Sequence, residues 1–375
     1  MKKYSSIFIL LFSVLTAWAG NGPAQIAKID RTLWPYSIHS KSEFDFASKM
    51  EMLVFVELLD QIEMNEDSLK RYLGTEKVSV ESVRKWEEQI KLVFTANFQS
   101  LSETIVHDFI PIQKPASWPK ITKAAQSIKV LIPSNLQPWY VEAKKFYSRY
   151  LYEQVRLAAL FPRTTSEILS LDPSEITGND YQDKQFLLTF DDGPTVANGH
   201  TDKLLKTLEK YRLNGIFFVL GEMYQARLKS SSISQLQELY GSHVLGSHGK
   251  MHKPHPKYPE WKYSLDYTAN LIDSTKKNQK TANYFRPPYG QRNVSIVEHL
   301  KSKNTKVMLW NIDSQDWNSK INAAEIANRV CTLMLLWRKG ILLFHDIHPK
   351  CNEAIPSILN YFEGSEIKWV DPKDL

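Results

Sequence analysis

Carboxylate, imidazole and guanidinium side chains directly follow several short apolar runs in the second half of this 375-residue sequence. Each run has the length and composition of a buried strand, and amphipathic stretches lie between the runs. In a parallel barrel the carboxyl ends of all strands face one rim. We therefore expect five separate stretches to build one site, with the polar residues Asp191-Asp192, Ser247-His248, Arg286, Asp313 and His345.

The types and spacing of these residues indicate a metal site. Asp191 and Asp192 are adjacent carboxylates, which are costly to bury together unless a metal neutralises them, although Asp-Asp-Gly-Pro is also typical of an acidic turn. His248 and His252 are four residues apart, a spacing that would place both imidazoles on one side of a helical turn. Two histidines and one aspartate, with a position left for water, are typical of a catalytic zinc site. His255 is an alternative ligand.

Amide hydrolysis at such a metal requires two further groups. A base must take a proton from water, and an acid must protonate the departing amine. Asp191 and His345 are suited to these two roles. The residue types therefore predict hydrolysis by water that a metal activates near neutral pH.

Five motifs, in this order, resemble those of the NodB-type polysaccharide deacetylases, carbohydrate esterase family four. They are Thr189-Phe190-Asp191-Asp192-Gly193-Pro194, His248-Gly249-Lys250-Met251-His252, Arg286-Pro287-Pro288-Tyr289-Gly290, Asp313-Ser314-Gln315-Asp316-Trp317 and Leu343-Phe344-His345. The resemblance covers residues 186–375, about half of the chain. It implies a distorted (β/α) barrel that removes N-acetyl groups from an amino-sugar polymer.

The resemblance also implies roles for the residues of the first three motifs. Asp191 would be the general base, and Arg286 would hold it in place. Asp192, His248 and His252 would bind Zn²⁺, or another divalent transition metal such as Co²⁺.

The remaining roles concern the intermediate, the acid and the substrate pocket. By resemblance, the backbone N–H of Tyr289 would help to form the oxyanion hole, and Asp316 would tune His345 as the general acid. The residues expected to line the substrate pocket are Pro194, Trp317 and Leu343.

The second motif departs from the family pattern at two positions. The family usually has Ser or Thr after the first histidine, where this chain has Gly249. The family often has Pro directly after the second histidine, and here Lys253 precedes Pro254. We expect the missing hydroxyl to cost a loop hydrogen bond, about 1 kcal/mol, without removing a ligand.

The patterning changes near residue 180 and predicts two domains. Residues 20–180 are expected to be a mostly helical accessory domain, and residues 181–375 the catalytic α/β domain, with a loop or linker at 171–184. The expected helices of the first domain run from Ser42 to about Leu73, from Val83 to Ile105 and onward from Pro138, with prolines breaking the stretch around Pro111, Pro115 and Pro119. The expected helix caps of the second domain are Thr201, Ser295 with Glu298, and Asn322 with Glu325.

The N-terminus predicts export. Lys2 and Lys3 precede an apolar run and the sequence Ala17-Trp18-Ala19, the pattern of a secretory signal peptide over residues 1–19. We expect cleavage after Ala19 and a protein of the periplasm or cell envelope that is not stably inserted in the membrane; a retained anchor is the alternative.

Charge and cysteine content constrain the partners further. The formal net charge of +6 is mild and permits an anionic cell-wall polymer, but it does not require nucleic acid, and we expect none. Cys331 and Cys351 could pair in an oxidising compartment, and the sequence leaves this open.

The sequence as a whole predicts hydrolysis of N-acetyl groups from N-acetylglucosamine-type residues of a cell-envelope polysaccharide. The bacterial-type signal peptide favours peptidoglycan as the substrate. Chitin oligosaccharides and poly-N-acetylglucosamine are alternatives, as is a sugar-binding protein with a relic zinc site. Such a relic usually lacks the base, the acid or a ligand, and all of these are present here.

Overall fold

The computed structural model describes residues 25–161, 170–275 and 283–375. The signal peptide predicted at residues 1–19 lies outside these ranges. None of the helices in the described ranges combines the length and the apolar character that crossing a membrane would require.

Within the described ranges, the N-terminal half contains five α-helices. They are α1 (Lys41–Leu59), α2 (Glu66–Leu73), α3 (Val80–Ser100), α4 (Trp118–Leu131) and α5 (Gln137–Leu160). The single helix predicted from Ser42 to Leu73 is wrong, because Asn65 caps a new helix by accepting a hydrogen bond from the backbone N–H of Ser68. The cap of α1 is Ser40, and Ser42 lies inside the helix.

Helix α4 occupies the stretch that the prolines were predicted to break. Pro119 lies in its first turn, where a missing backbone N–H costs no intrahelical hydrogen bond. Pro111 and Pro115 precede the helix. The number of prolines therefore did not show whether this stretch is helical. What matters is where each proline lies relative to the start of the helix.

The described part of the second half contains eight strands and seven α-helices. The strands are β1 (Gln185–Asp191), β2 (Ile216–Val219), β3 (Val244–Ser247), β4 (Tyr284–Phe285), β5 (Lys306–Val307), β6 (Ile312–Asp313), β7 (Gly340–His345) and β8 (Lys368–Trp369). The helices are α6 (His200–Lys210), α7 (Gly221–Leu228), α8 (Ile233–Tyr240), α9 (Trp261–Thr275), α10 (Val294–Ser302), α11 (Ala323–Trp337) and α12 (Pro349–Tyr361). The predicted capping box of Asn322 and Glu325 is present at α11, whereas Thr201 lies inside α6 and the cap of α10 is Asn293 instead of Ser295.

All strand pairs are parallel, in the order β5-β4-β3-β2-β1-β7-β6, with β8 pairing with the start of β1. The apolar sequence from Val307 to Ile312 contributes to two short strands, β5 and β6, at opposite ends of this order. Only residues 308–311 join these two edge strands, so the sheet must curl until its edges approach each other. The predicted distorted barrel, preceded by helices, is confirmed.

The helical half packs directly on the barrel. Helix α1 lies against α4, α5 and α11. The Oγ atom of Ser48 in α1 donates a hydrogen bond to the carbonyl oxygen of Leu335 in α11. The segment predicted as a linker also joins the sheet, since the Ile176 N–H donates to the Val307 carbonyl and the Ile176 carbonyl accepts from Leu309. One hydrophobic core therefore spans both halves.

Cys331 and Cys351 are both buried and are not bonded to each other.

Candidate active site

Side-chain alternation along β1 directs its last carboxylate into the barrel. Phe186 and Phe190 pack outward in the large core shared with the helices, whereas Leu187 packs inside the barrel. Successive side chains of a strand point to opposite faces, so Thr189 and Asp191 share the inward face with Leu187. Asp191 is consequently buried at the carboxyl end of the strand.

Arg286 holds Asp191 inside the barrel. Its Nη1 atom lies 2.9 Å from Asp191 Oδ1 and 2.7 Å from Thr189 Oγ1. The remaining guanidinium nitrogens donate to the carbonyl oxygens of Met308 and Leu309, so this buried cation is anchored on every side. Burial raises the pKa of Asp191 to about 6 and outweighs the opposing effect of Arg286. Asp191 is therefore mainly ionised at pH 7, as a base requires.

Asp192, His248 and His252 form a group that could hold a metal ion, with one ligand atom from each residue and all three atoms within 4.8 Å of one another. Asp192 Oδ1 lies 3.5 Å from His248 Nε2 and 3.7 Å from His252 Nε2. That oxygen is buried and has no hydrogen-bond partner in the described parts of the chain. A buried carboxylate oxygen facing two imidazole nitrogens fits a cation in the space between them.

The protonation of the two histidines also fits a metal. His248 Nδ1 lies 2.7 Å from the carbonyl oxygen of Arg286, which can only accept, so a neutral ring carries its proton on Nδ1 and turns the Nε2 lone pair toward Asp192. Burial lowers the pKa of His248 well below its usual range and also lowers the pKa of His252. Neutral imidazoles are the form that binds metals.

The spacing of the two histidines predicted that they would lie on a helical turn, and this prediction is wrong. His248 directly follows β3, and the segment from there to Pro254 is an irregular loop. The side chains meet because this loop folds back, with ring centroids 5.1 Å apart. His255, the alternative ligand, is outside the group and lies 3.0 Å from Ser264 Oγ through its Nε2.

His345 lies next to Asp191, because the two residues are paired in register on β7 and β1. His345 Nδ1 lies 2.7 Å from Asp316 Oδ1, and its backbone N–H donates to Asp316 Oδ2 at 2.8 Å. Burial alone would lower the pKa of His345, but Asp316 outweighs it and the pKa is raised to about 10. His345 is thus protonated at neutral pH.

The other predicted site residues lie around this group. Tyr289 has a left-handed backbone (φ 59°), and its ring meets that of His252 edge-on at 4.4 Å. Trp317 is 39% exposed, whereas Leu343 lies in the barrel core and Pro194 is buried after Gly193. The roles assigned to these residues remain predictions.

Asp346 is a buried carboxyl of the site that the sequence reasoning missed. Its Oδ2 accepts a hydrogen bond from Thr201 Oγ1 at 2.7 Å, and a Cβ added to Gly193 would lie 2.0 Å from the same oxygen. Burial raises the pKa of Asp346 to about 7. His345 was predicted because it directly follows an apolar run. Asp346 is the next residue, so the same reasoning could have identified it.

Comparison with known proteins identifies relatives that match the barrel half, and in one case most of the chain. A family model described as polysaccharide deacetylase matches residues 178–308. A peptidoglycan-N-acetylglucosamine deacetylase of Bacillus cereus is 32% identical over 220 residues, which are 55% of this chain and 74% of that protein. A peptidoglycan-N-acetylmuramic acid deacetylase of Bacillus subtilis is 26% identical over 323 residues, or 85% of this chain and 60% of its own length. A crystal structure of a peptidoglycan N-acetylglucosamine deacetylase aligns with a TM-score of 0.46 and 22% identity, over 52% of this chain and 90% of that one.

Proposed function

The chain belongs to the polysaccharide deacetylase family, and from this we propose that it hydrolyses N-acetyl groups of N-acetylglucosamine-type residues in peptidoglycan. Both relatives described above are named for deacetylation of peptidoglycan. A cell-envelope polymer also suits the export that the N-terminal sequence predicts.

The observation that carries the proposal is the meeting of three functional groups at one rim of the barrel. An ionised carboxylate is held by Arg286, and a protonated histidine is held by Asp316. Beside the carboxylate lies the trio Asp192, His248 and His252, with His248 Nε2 3.8 Å from Asp191 Oδ2. Two proton carriers of opposite charge beside a metal-binding trio are what hydrolysis of an unactivated amide requires.

We assign zinc to the trio, because two neutral imidazoles and one carboxylate are a common zinc donor set, and Co²⁺ is the alternative. When bound, the ion would act as a Lewis acid toward the N-acetyl carbonyl and would lower the pKa of water.

The remaining chemistry belongs to side chains of this chain. Asp191 takes a proton from the attacking water while Arg286 fixes its orientation. The backbone N–H of Tyr289 donates to the oxyanion that develops on the carbonyl oxygen. His345 then gives its proton to the amide nitrogen as the C–N bond breaks, releasing acetate and leaving a free amine on the sugar. The walls of the acetyl pocket are assigned to Pro194, Trp317 and Leu343.

Acetate release from three polymers tests the proposal. Peptidoglycan, chitin oligosaccharides and poly-N-acetylglucosamine would be compared with zinc present, with Asp191→Asn as the inactive control. We expect release from peptidoglycan to be the fastest. Faster release from chitin oligosaccharides or poly-N-acetylglucosamine would make that polymer the substrate instead of peptidoglycan. No release from any of the three would support a sugar-binding protein.

The proposed location is the periplasm or cell envelope, after cleavage behind Ala19. N-terminal sequencing of the exported protein should begin at Gly20. A chain that retains Met1 and stays in the membrane would contradict this proposal.

A further inference from the structure

The loop that carries both histidine ligands, residues 248–252 and here called the ligand loop, contains a glycine that a neighbouring ring makes necessary. Gly249 has φ 82°, and a Cβ added to it would lie 2.6 Å from His255 Cε1 and 2.8 Å from His255 Nε2. Real Cβ atoms do not approach other atoms so closely. The ring of His255 therefore occupies the space that any side chain at position 249 would need.

A hydroxyl nevertheless reaches the ligand loop from another element. Ser264, which is fully buried in α9, accepts a hydrogen bond from the backbone N–H of Lys250 at 2.8 Å. The same Ser264 Oγ lies 3.0 Å from His255 Nε2. One hydroxyl thus joins the ligand loop, α9 and the His255 ring.

His255 also packs against the strand that orients the first ligand. Its ring meets that of Phe285 edge-on, with centroids 5.5 Å apart. Phe285 ends β4, and the carbonyl oxygen of the next residue, Arg286, fixes the tautomer of His248. His255 is completely buried, so it fills the space between the ligand loop and the end of β4.

We propose that His255 and Ser264 are positioning residues that hold the ligand loop in its metal-binding shape. Ser264 binds the backbone of the ligand loop at Lys250, and the His255 ring packs beside Gly249, while neither residue belongs to the metal-binding trio. Gly249, His255 and Ser264 are thus in mutual contact beside the ligand loop. The proposal rests on the metal site assigned above.

Two measurements test this role. Zinc affinity is measured by competition with a chelator, and the melting temperature of the metal-free protein shows whether a variant is destabilised in general. His255→Ala and Ser264→Ala should each weaken zinc binding about tenfold, as loss of a supporting contact around a metal site typically does. His255→Gln should recover most of the affinity, since its amide nitrogen can take the place of Nε2 beside Ser264. Ser264→Ala removes a single atom, so it tests the role even if His255→Ala fails to fold.

His243→Ala is the matched control. His243 lies at the opposite end of β3 and accepts a hydrogen bond from the Gly215 N–H at 3.1 Å. Its loss should lower the melting temperature and leave zinc affinity unchanged, because His243 is remote from the ligand loop.

A double-mutant comparison isolates the contact between the ring and Gly249. Gly249→Ala is strained by the positive φ in any background, but only in the presence of His255 does the new methyl meet the ring. The loss of zinc affinity caused by Gly249→Ala should therefore be smaller in His255→Ala than in the wild type. Equal losses, or wild-type zinc affinity in both His255→Ala and Ser264→Ala, would overturn the inference. A wild-type protein that binds no zinc would instead overturn the metal site of the proposed function.

Discussion

Asp316 is the neighbour that most strongly favours the protonated form of His345, and Asp192 and Asp191 add to its effect. Asp316 holds both the ring Nδ1 and the backbone N–H of His345, and it raises the pKa of that ring against the opposing effect of burial. An acid that must be protonated loses activity as pH rises through its pKa. With His345 as the proposed acid, we expect the alkaline limit of activity to depend on Asp316.

Asp316→Asn should shift the alkaline limb of the kcat/KM profile to lower pH. The neutral amide no longer favours the charged imidazolium, so the pKa of His345 falls and the acid is lost earlier as pH rises. The measurement is kcat/KM against pH on a soluble N-acetylated oligosaccharide at saturating zinc. An alkaline limb that stays in place would mean that His345 is not the acid.

Individual site residues were predictable because the carboxyl ends of all strands in a parallel barrel meet at one rim, so a residue that follows a strand must lie there. Asp191, Arg286 and His345 each directly follow an apolar run, and the structure brings them together. The contact of Gly249 with His255 was not predictable, since it depends on how a loop folds back in three dimensions. The spacing of His248 and His252 was misinterpreted for the same reason, because an irregular loop can bring residues four apart together as a helix does.

At the scale of elements, a buried ion pair joins α1 to the end of α11. Arg338, the left-handed residue that follows α11, lies 2.7 Å from Asp45 Oδ1 and 2.7 Å from Asp183 Oδ2. Asp45 also accepts hydrogen bonds from the N–H and the Oγ of Ser102. Burial alone would raise the pKa of Asp45, but Arg338 and these hydrogen bonds outweigh it and lower the pKa from 3.8.

Asp45→Asn should lower the free energy of unfolding at pH 7. Removing one member of a buried pair typically costs roughly 3–5 kcal/mol, and we expect the lower end because Asp183 still pairs with Arg338. The contribution of a carboxylate with a lowered pKa is present above pH 3.8 and is lost as pH falls through the folded-state pKa. The free energies of unfolding of the variant and the wild type, measured with urea, should therefore differ less at acid pH than at pH 7.

The exposed pair of Glu81 and Lys85 on α3 provides the control for this experiment. Glu81→Gln should change the free energy of unfolding by less than about 1 kcal/mol, as is usual for exposed ion pairs. A similarly small effect for Asp45→Asn would show that the buried pair does not stabilise the contact between α1 and α11.

Element boundaries were less predictable than element types. Strands β1, β2, β3 and β7 coincide closely with the apolar runs, because burial on both faces requires continuous apolar residues. The break between α1 and α2 was missed, since the Asn65 cap that begins α2 was overlooked.

At the scale of the whole molecule, the helical half stabilises the barrel and supplies none of the site residues identified above. Phe55 of α1 is fully buried, stacks on Phe94 at 4.9 Å and faces Trp337 of α11 at 6.4 Å. It thus lies in the core that both halves share.

Phe55→Ala should separate stability from catalysis. The cavity should lower the free energy of unfolding by about 3–5 kcal/mol. Below the melting temperature, kcat and zinc affinity should equal those of the wild type. A loss of kcat in the folded variant would mean that the helical half helps to shape the site.

The central claim is the division of labour between Asp191 and Asp192, and zinc content measured beside acetate release in Asp191→Asn and Asp192→Ala tests it most directly. Asp191→Asn should keep its zinc and lose about 10²–10⁴-fold in kcat, the usual contribution of a positioned base. Asp192→Ala should lose zinc and activity together, because Asp192 Oδ1 faces both histidine ligands. Asp191→Asn protein that sheds zinc while Asp192→Ala retains it would contradict the account.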